Sequence, residues 1–106
     1  MPTGKIEKII AKHYSQSNWT GESAKISLWA ETDLGHEVWL QTQHNLDTRR
    51  VNVKVRAYED KNKHLLGQRI KYKFDERKEI GFVREYLSSE PAKGLYDQNI
   101  DVTGIY

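Results

Sequence analysis

Four histidines, His13, His36, His44 and His64, are the side chains of this 106-residue chain best suited to acid–base or metal chemistry. None has a second histidine at i+2 or i+4, so the local spacing of a metal ligand pair is absent. The sequence contains no cysteine, which removes thiolate nucleophiles, disulfides and Cys-based metal sites. It also contains no Gly-rich phosphate loop, no G-x-S-x-G elbow and no H-E-x-x-H pair. Asp97, Asn99 and Asp101 match the opening of a calcium loop, but Val102 stands where the loop needs glycine and no acid closes it. Asn18-Trp19-Thr20 has the form of a glycosylation acceptor, without a signal peptide to bring it to the modifying compartment. The expectation is a non-enzymatic protein with no cofactor and no metal.

Other residues carry more information. Val51, Val53, Val55 and Ala57 alternate with Asn52, Lys54, Arg56 and Tyr58, a period of two that predicts a half-buried strand. Ile70, Tyr72 and Phe74 alternate in the same way with Arg69, Lys71 and Lys73. If Val51–Glu59 and Leu66–Phe74 form a hairpin, burying both apolar rows fixes the register, since a one-residue slip would expose one row. Lys54 then faces Lys71, Arg56 faces Arg69, and Asn52 faces Lys73. Like charges directly opposite destabilise a sheet. They are answered either by Glu31, Glu37 or Glu85 on neighbouring strands or by an anionic partner. Lys54, Arg56, Arg69, Lys71 and Lys73 are therefore the candidate binding residues. Trp39 joins them, because Trp29 and Trp39 fall on one face if Ala30 and Leu40 point inward. Two exposed indoles would mark a recognition surface; two covered ones would belong to the core.

The elements that must position these residues are short strands. Ile26, Leu28 and Ala30 alternate with polar neighbours, as do Val38, Leu40 and Thr42, with a turn at Asp33-Leu34-Gly35-His36 and another at Asn45–Thr48. Gly81–Leu87 and Ile100–Ile105 complete the strand set, joined by a charged connection at Asp75–Glu79 and a loop at Ser88–Asn99. Ser15–Ser23 reads as a loop. Lys5–Tyr14 is ambiguous: the segment fits a helix, and Ile9–Tyr14 fits an edge strand equally well. Residues 1–106 form one domain by length. The pattern is all-β: an antiparallel sandwich of six or seven strands, with a small OB-like barrel as the alternative.

The formal net charge is +2, too small to imply nucleic acid or an anionic membrane by itself. Eleven aromatic residues (three Trp, six Tyr, two Phe) argue against disorder. No apolar run approaches the roughly 20 residues that cross a bilayer, so no membrane insertion is expected. The N-terminus lacks an apolar signal core. These features predict a protein that is cytoplasmic where it is synthesised, with signal-independent export left open.

Gly35-His36-Glu37-Val38-Trp39-Leu40-Gln41-Thr42, followed by Val51-Asn52-Val53-Lys54-Val55 and an acidic turn at Glu59-Asp60, resembles a bacterial immunoglobulin-like module of large surface and secretion-spike proteins. Ile9–Tyr14 resembles the first strand of such modules, so the likeness covers roughly residues 9–60. It implies an immunoglobulin-like antiparallel sandwich that acts as a non-catalytic spacer or adaptor contacting protein, and it assigns no functional residue. The leading expectation is thus a protein–protein interaction module that uses a sheet face or edge strand against another protein, one with an acidic surface if the basic face is used. The runner-up is a nucleic-acid-binding OB-like domain in which Lys54, Arg56, Arg69 and Lys71 track phosphates and Tyr58 or Trp39 stacks bases.

Overall fold

The computed structural model describes residues 1–18, 21–88 and 90–95. The chain runs through β1 (Thr3–Asn18), β2 (Gly21–Thr32), β3 (Glu37–Leu46), α1 (Val51–Lys61), a 3-10 turn at Lys63–Leu65, β4 (Arg69–Asp75) and β5 (Ile80–Tyr86). The strands close into a barrel in the order β1-β2-β3-β5-β4, with β4 returning to β1. Every pairing is antiparallel except β3 with β5. A closed five-stranded barrel overturns the immunoglobulin-like sandwich of six or seven strands and fits the OB-like alternative. The expected strand at Ile100–Ile105 lies outside the described residues, as do Trp19, Thr20 and the Asp97–Asp101 motif.

The difference has one main source. Val51–Lys61 is a helix, so the Val51–Phe74 hairpin does not exist. The segment satisfies two periods at once. Read in twos, it gives Val51, Val53, Val55 and Ala57. Read at helical spacing, it gives Val51, Val55, Tyr58 and Asn62, at i, i+4, i+7 and i+11. The second stripe is the one that packs: Tyr58 and Asn62 are fully buried and Val51 and Val55 lean on the core, while Val53 stays 64% exposed. Burial of Tyr58 decides the matter, because a strand would put it on the polar face.

At the N-terminus the strand alternative holds. β1 pairs with β2 from Ile6 to Asn18, and Thr3–Lys5 pairs with β4. The ladder continues through Ser15↔Ala24 to Asn18↔Gly21, so most of the expected Ser15–Ser23 loop is a two-stranded arm. Gly21, at φ 134, adopts at the start of β2 a backbone conformation that side-chain-bearing residues avoid.

Inside the barrel, Ile6, Ile26, Leu28, Ala30, Val38, Ile70 and Tyr72 are removed from water, with Tyr58 and Leu65 joining them. This apolar burial is the main force holding the fold. The Tyr72 hydroxyl is satisfied by Thr32 Oγ1 at 3.2 Å and His36 Nδ1 at 2.7 Å. The Asn62 amide donates to the carbonyls of Tyr58 and Lys93, and its Oδ1 accepts the Lys93 N–H at 2.7 Å. These bonds pin residues 90–95 to the end of α1 and seat Leu95 in the core.

The Tyr58 hydroxyl is buried without a hydrogen-bond partner among the described residues. Burial pushes its pKa up to about 12, against a smaller lowering by the nearby Gln41 and Gln43 amides. The Tyr86 phenol is raised by burial too. An unfolded tyrosine ionises near about 10. Stability from the neutral Tyr58 phenol is therefore complete below that pH and is lost as pH rises towards about 12. Tyr58→Phe should abolish part of the alkaline loss in a urea-midpoint series. It should also leave the midpoint at neutral pH unchanged or higher, since it deletes an unpaired buried hydroxyl. A lower neutral midpoint would mean that the hydroxyl is bonded after all.

Candidate functional site

Strand parity decides which side chains leave the barrel. With Ala11, Ile26, Leu28 and Ala30 inside, the outward row of β1 includes Ile10, Lys12 and Tyr14, and that of β2 includes Lys25, Ser27 and Trp29. On β3 a bulge intervenes. Trp29 opposes Trp39 and Leu28 opposes Gln41, so Leu40 is the extra residue and the parity shifts across it. Trp39 is outward before the bulge, and Thr42 and His44 are outward after it. Simple alternation would have sent Gln41 outward and Thr42 inward. Phe82 of β5, which pairs with Trp39, continues the row.

The result is an open cleft of about 400 Å³ whose aromatic lining is Tyr14, Trp29, Trp39 and Phe82. Both indoles are half-buried and line the cleft. Trp39 is held firmly. Its Nε1–H donates to Thr42 Oγ1 at 2.7 Å, and Thr42 Oγ1 lies 2.9 Å from Ser27 Oγ. Its ring meets Phe82 edge-on, with centroids 6.2 Å apart. The Trp29 Nε1–H has no partner among the described residues. Two ammonium groups lie over aromatic faces: Lys12 Nζ is 5.2 Å from the Trp29 ring centre and Lys25 Nζ is 5.6 Å from that of Tyr14. Lys12 also pairs with Glu37 at 3.0 Å.

Phe82 is shared with a second open cleft of about 580 Å³, lined by Phe74 and by Lys73, Arg77 and Arg84. Asp75 and Glu76 also line it. Asp75, however, is turned to the backbone, accepting the N–H groups of Arg77 and Lys78 at 3.0 and 3.3 Å. Lys73, Arg77 and Arg84 form no ion pair among the described residues. The two clefts together make a path with an aromatic floor and cations towards both ends. Among the described residues, no group of three His, Asp or Glu side chains is placed to hold a metal ion, and no helix is long and apolar enough to cross a membrane.

The expected binding residues divide. Trp39 stands at the centre of the path and Lys73 at its rim. Lys71 points outward on β4 opposite Glu85, and Arg69 lies opposite Lys5. Lys54 and Arg56 are on α1 and share no face with Lys71. Lys54 Nζ donates to the Asp47 carbonyl at 3.2 Å, while Arg56 borders a separate hollow beside Glu59. Nearby, the Arg49 guanidinium holds the Asp47 carboxyl down to about 2. The basic hairpin face is thus replaced by two unconnected groups of cations. Lys12, Tyr14, Lys25, Phe82, Arg77 and Arg84 were not singled out in the sequence. The signal for Lys12, Tyr14 and Lys25 was their outward parity with Trp29, legible only once Lys5–Tyr14 is known to be a strand, whereas Phe82, Arg77 and Arg84 had no local signal.

Comparison of the chain with family models, curated proteins and solved structures finds no match.

The Trp39–Phe82 contact depends on Gly81. A Cβ there would come within 2.8 Å of Tyr72 Cδ2 and 3.0 Å of Val38 Cγ2, inside the packed core. Gly81→Ala should destabilise the protein by about 1–3 kcal/mol through overpacking, read as a lower denaturant midpoint. An unchanged midpoint would show that β5 does not sit this close to β3 and β4.

Proposed function

We propose that the protein is a non-catalytic module that binds single-stranded nucleic acid across the outer face of β1, β2, β3 and β5. The observation that carries this reading is the row Tyr14, Trp29, Trp39 and Phe82 in one cleft, continuing past Phe82 into a cleft with three cations that form no ion pair among the described residues. Bases present apolar faces and phosphates present charge, and a sequence-tolerant strand binder needs an aromatic platform beside a cationic track. The low net charge of +2 is no obstacle, because attraction depends on where charge lies. Lys25 stands at one end of the path and Lys73, Arg77 and Arg84 at the other.

A protein partner is the second reading, and one observation favours it. β1 pairs with β4 only over Thr3–Lys5, and β3 pairs with β5 only over Glu37–Trp39. Among the described residues, the remaining lengths of both strands have no strand on that side, although Glu59 of α1 reaches the Ala11 N–H at 3.2 Å. A partner strand could be added there. Barrel closure leaves less edge than an open sheet would.

Salt separates the two. Binding of a labelled oligothymidine should weaken with a log–log slope of about −2 to −3, as expected for three or four phosphates neutralised on a single strand. Trp39→Ala should weaken it about fivefold or more, the loss of about 1–3 kcal/mol per stacked base. Binding indifferent to salt, or unaffected by Trp39→Ala, would remove the nucleic-acid reading.

A further inference from the structure

The cation over Trp29 is not free. Lys12 Nζ lies 5.2 Å from the indole centre and 3.0 Å from Glu37 Oε1, so one side chain from β1 is held over an aromatic ring of β2 by a carboxylate of β3. Lys25 over Tyr14 has no such carboxylate among the described residues. The arrangement therefore occupies one face of the Trp29 indole and uses up an ammonium that a phosphate would seek.

We infer that Glu37 is a built-in competitor for the phosphate backbone, holding Lys12 across Trp29 until a strand displaces it. This rests on the nucleic-acid reading of the same face and assigns Glu37 a modulating role in it. Carboxylate and phosphate compete for the same charge-assisted bond. The pair is solvent-exposed, with the side chains 41% and 46% accessible, so it is weak enough for a ligand to open. Glu31 provides an internal comparison. It faces Glu37 across the β2–β3 ladder, carries the same charge, and makes no bond to Lys12 among the described residues. Removing either acid makes the protein more cationic by one charge; only removal of Glu37 frees Lys12.

The test is the affinity of a labelled oligothymidine for the full chain, for Glu37→Gln, Glu31→Gln and Lys12→Ala, and for the double variants Lys12→Ala/Glu37→Gln and Lys12→Ala/Glu31→Gln, at one fixed salt concentration. Glu37→Gln should tighten binding about three- to fivefold more than Glu31→Gln does, the scale of an exposed ion pair. In the Lys12→Ala background that excess should vanish. Equal effects of the two glutamate substitutions, or an excess that persists without Lys12, would overturn the inference and leave the nucleic-acid reading standing. If neither the natural chain nor any variant binds, the reading fails and the inference fails with it. These are exposed polar substitutions, and thermal midpoints close to that of the natural chain will show that each variant is folded.

Discussion

The whole arrangement depends on two short seams. β1 meets β4 over Thr3–Lys5, and β3 meets β5 over Glu37–Trp39; these two ladders turn a curled sheet into a closed barrel. Each seam contains a glycine packed too closely for a side chain. A Cβ on Gly4 would lie 2.9 Å from Thr32 Cβ, and one on Gly81 would lie 2.8 Å from the Tyr72 ring. Close backbone approach at these points lets strands that share few hydrogen bonds bury a common core. Without the β3–β5 seam, Phe82 would not stand beside Trp39, and the aromatic row would end at β3.

The outer face follows from closure and from one bulge. Leu40 is the extra residue that changes parity along β3, bringing Thr42 outward to receive the Trp39 indole N–H. The indole is thus fixed from below by a hydroxyl and from the side by the edge of Phe82. Rigid aromatic surface of this kind loses little freedom when a flat ligand settles on it. The charges around it are unequal: Lys12 is committed to Glu37, whereas Lys73, Arg77 and Arg84 are uncommitted among the described residues. The β1–β2 arm carries Tyr14 and Lys25 at one end of the face, and the β4–β5 turn carries Arg77 at the other.

Much of the barrel was legible in the sequence. The alternation of Ile26, Leu28 and Ala30, of Ile70 and Tyr72, and the turn at Asp33–His36 correspond to observed strands and a turn, because each strand has one wet and one dry face. Val51–Tyr58 misled because valines at alternate positions obey a strand period, while the helical stripe Val51, Val55, Tyr58 and Asn62 crosses the same residues; the core, not local preference, selects between them. That substitution of helix for strand removed the sandwich and separated Lys54 and Arg56 from Arg69, Lys71 and Lys73. Trp39 remained in the candidate site since its parity does not depend on the hairpin. Phe82, Arg77 and Arg84 could not be placed, for nothing local indicates that β5 runs parallel beside β3.

The most direct test of the account is the footprint of a short oligothymidine on the amide and indole N–H signals of the isotopically labelled protein. The account predicts that the indole signals of Trp29 and Trp39 and the amide of Phe82 shift together and saturate together, while the amides of α1 around Lys54 and Arg56 stay in place. A footprint centred on α1, or unshifted indoles at saturating oligonucleotide, would contradict it.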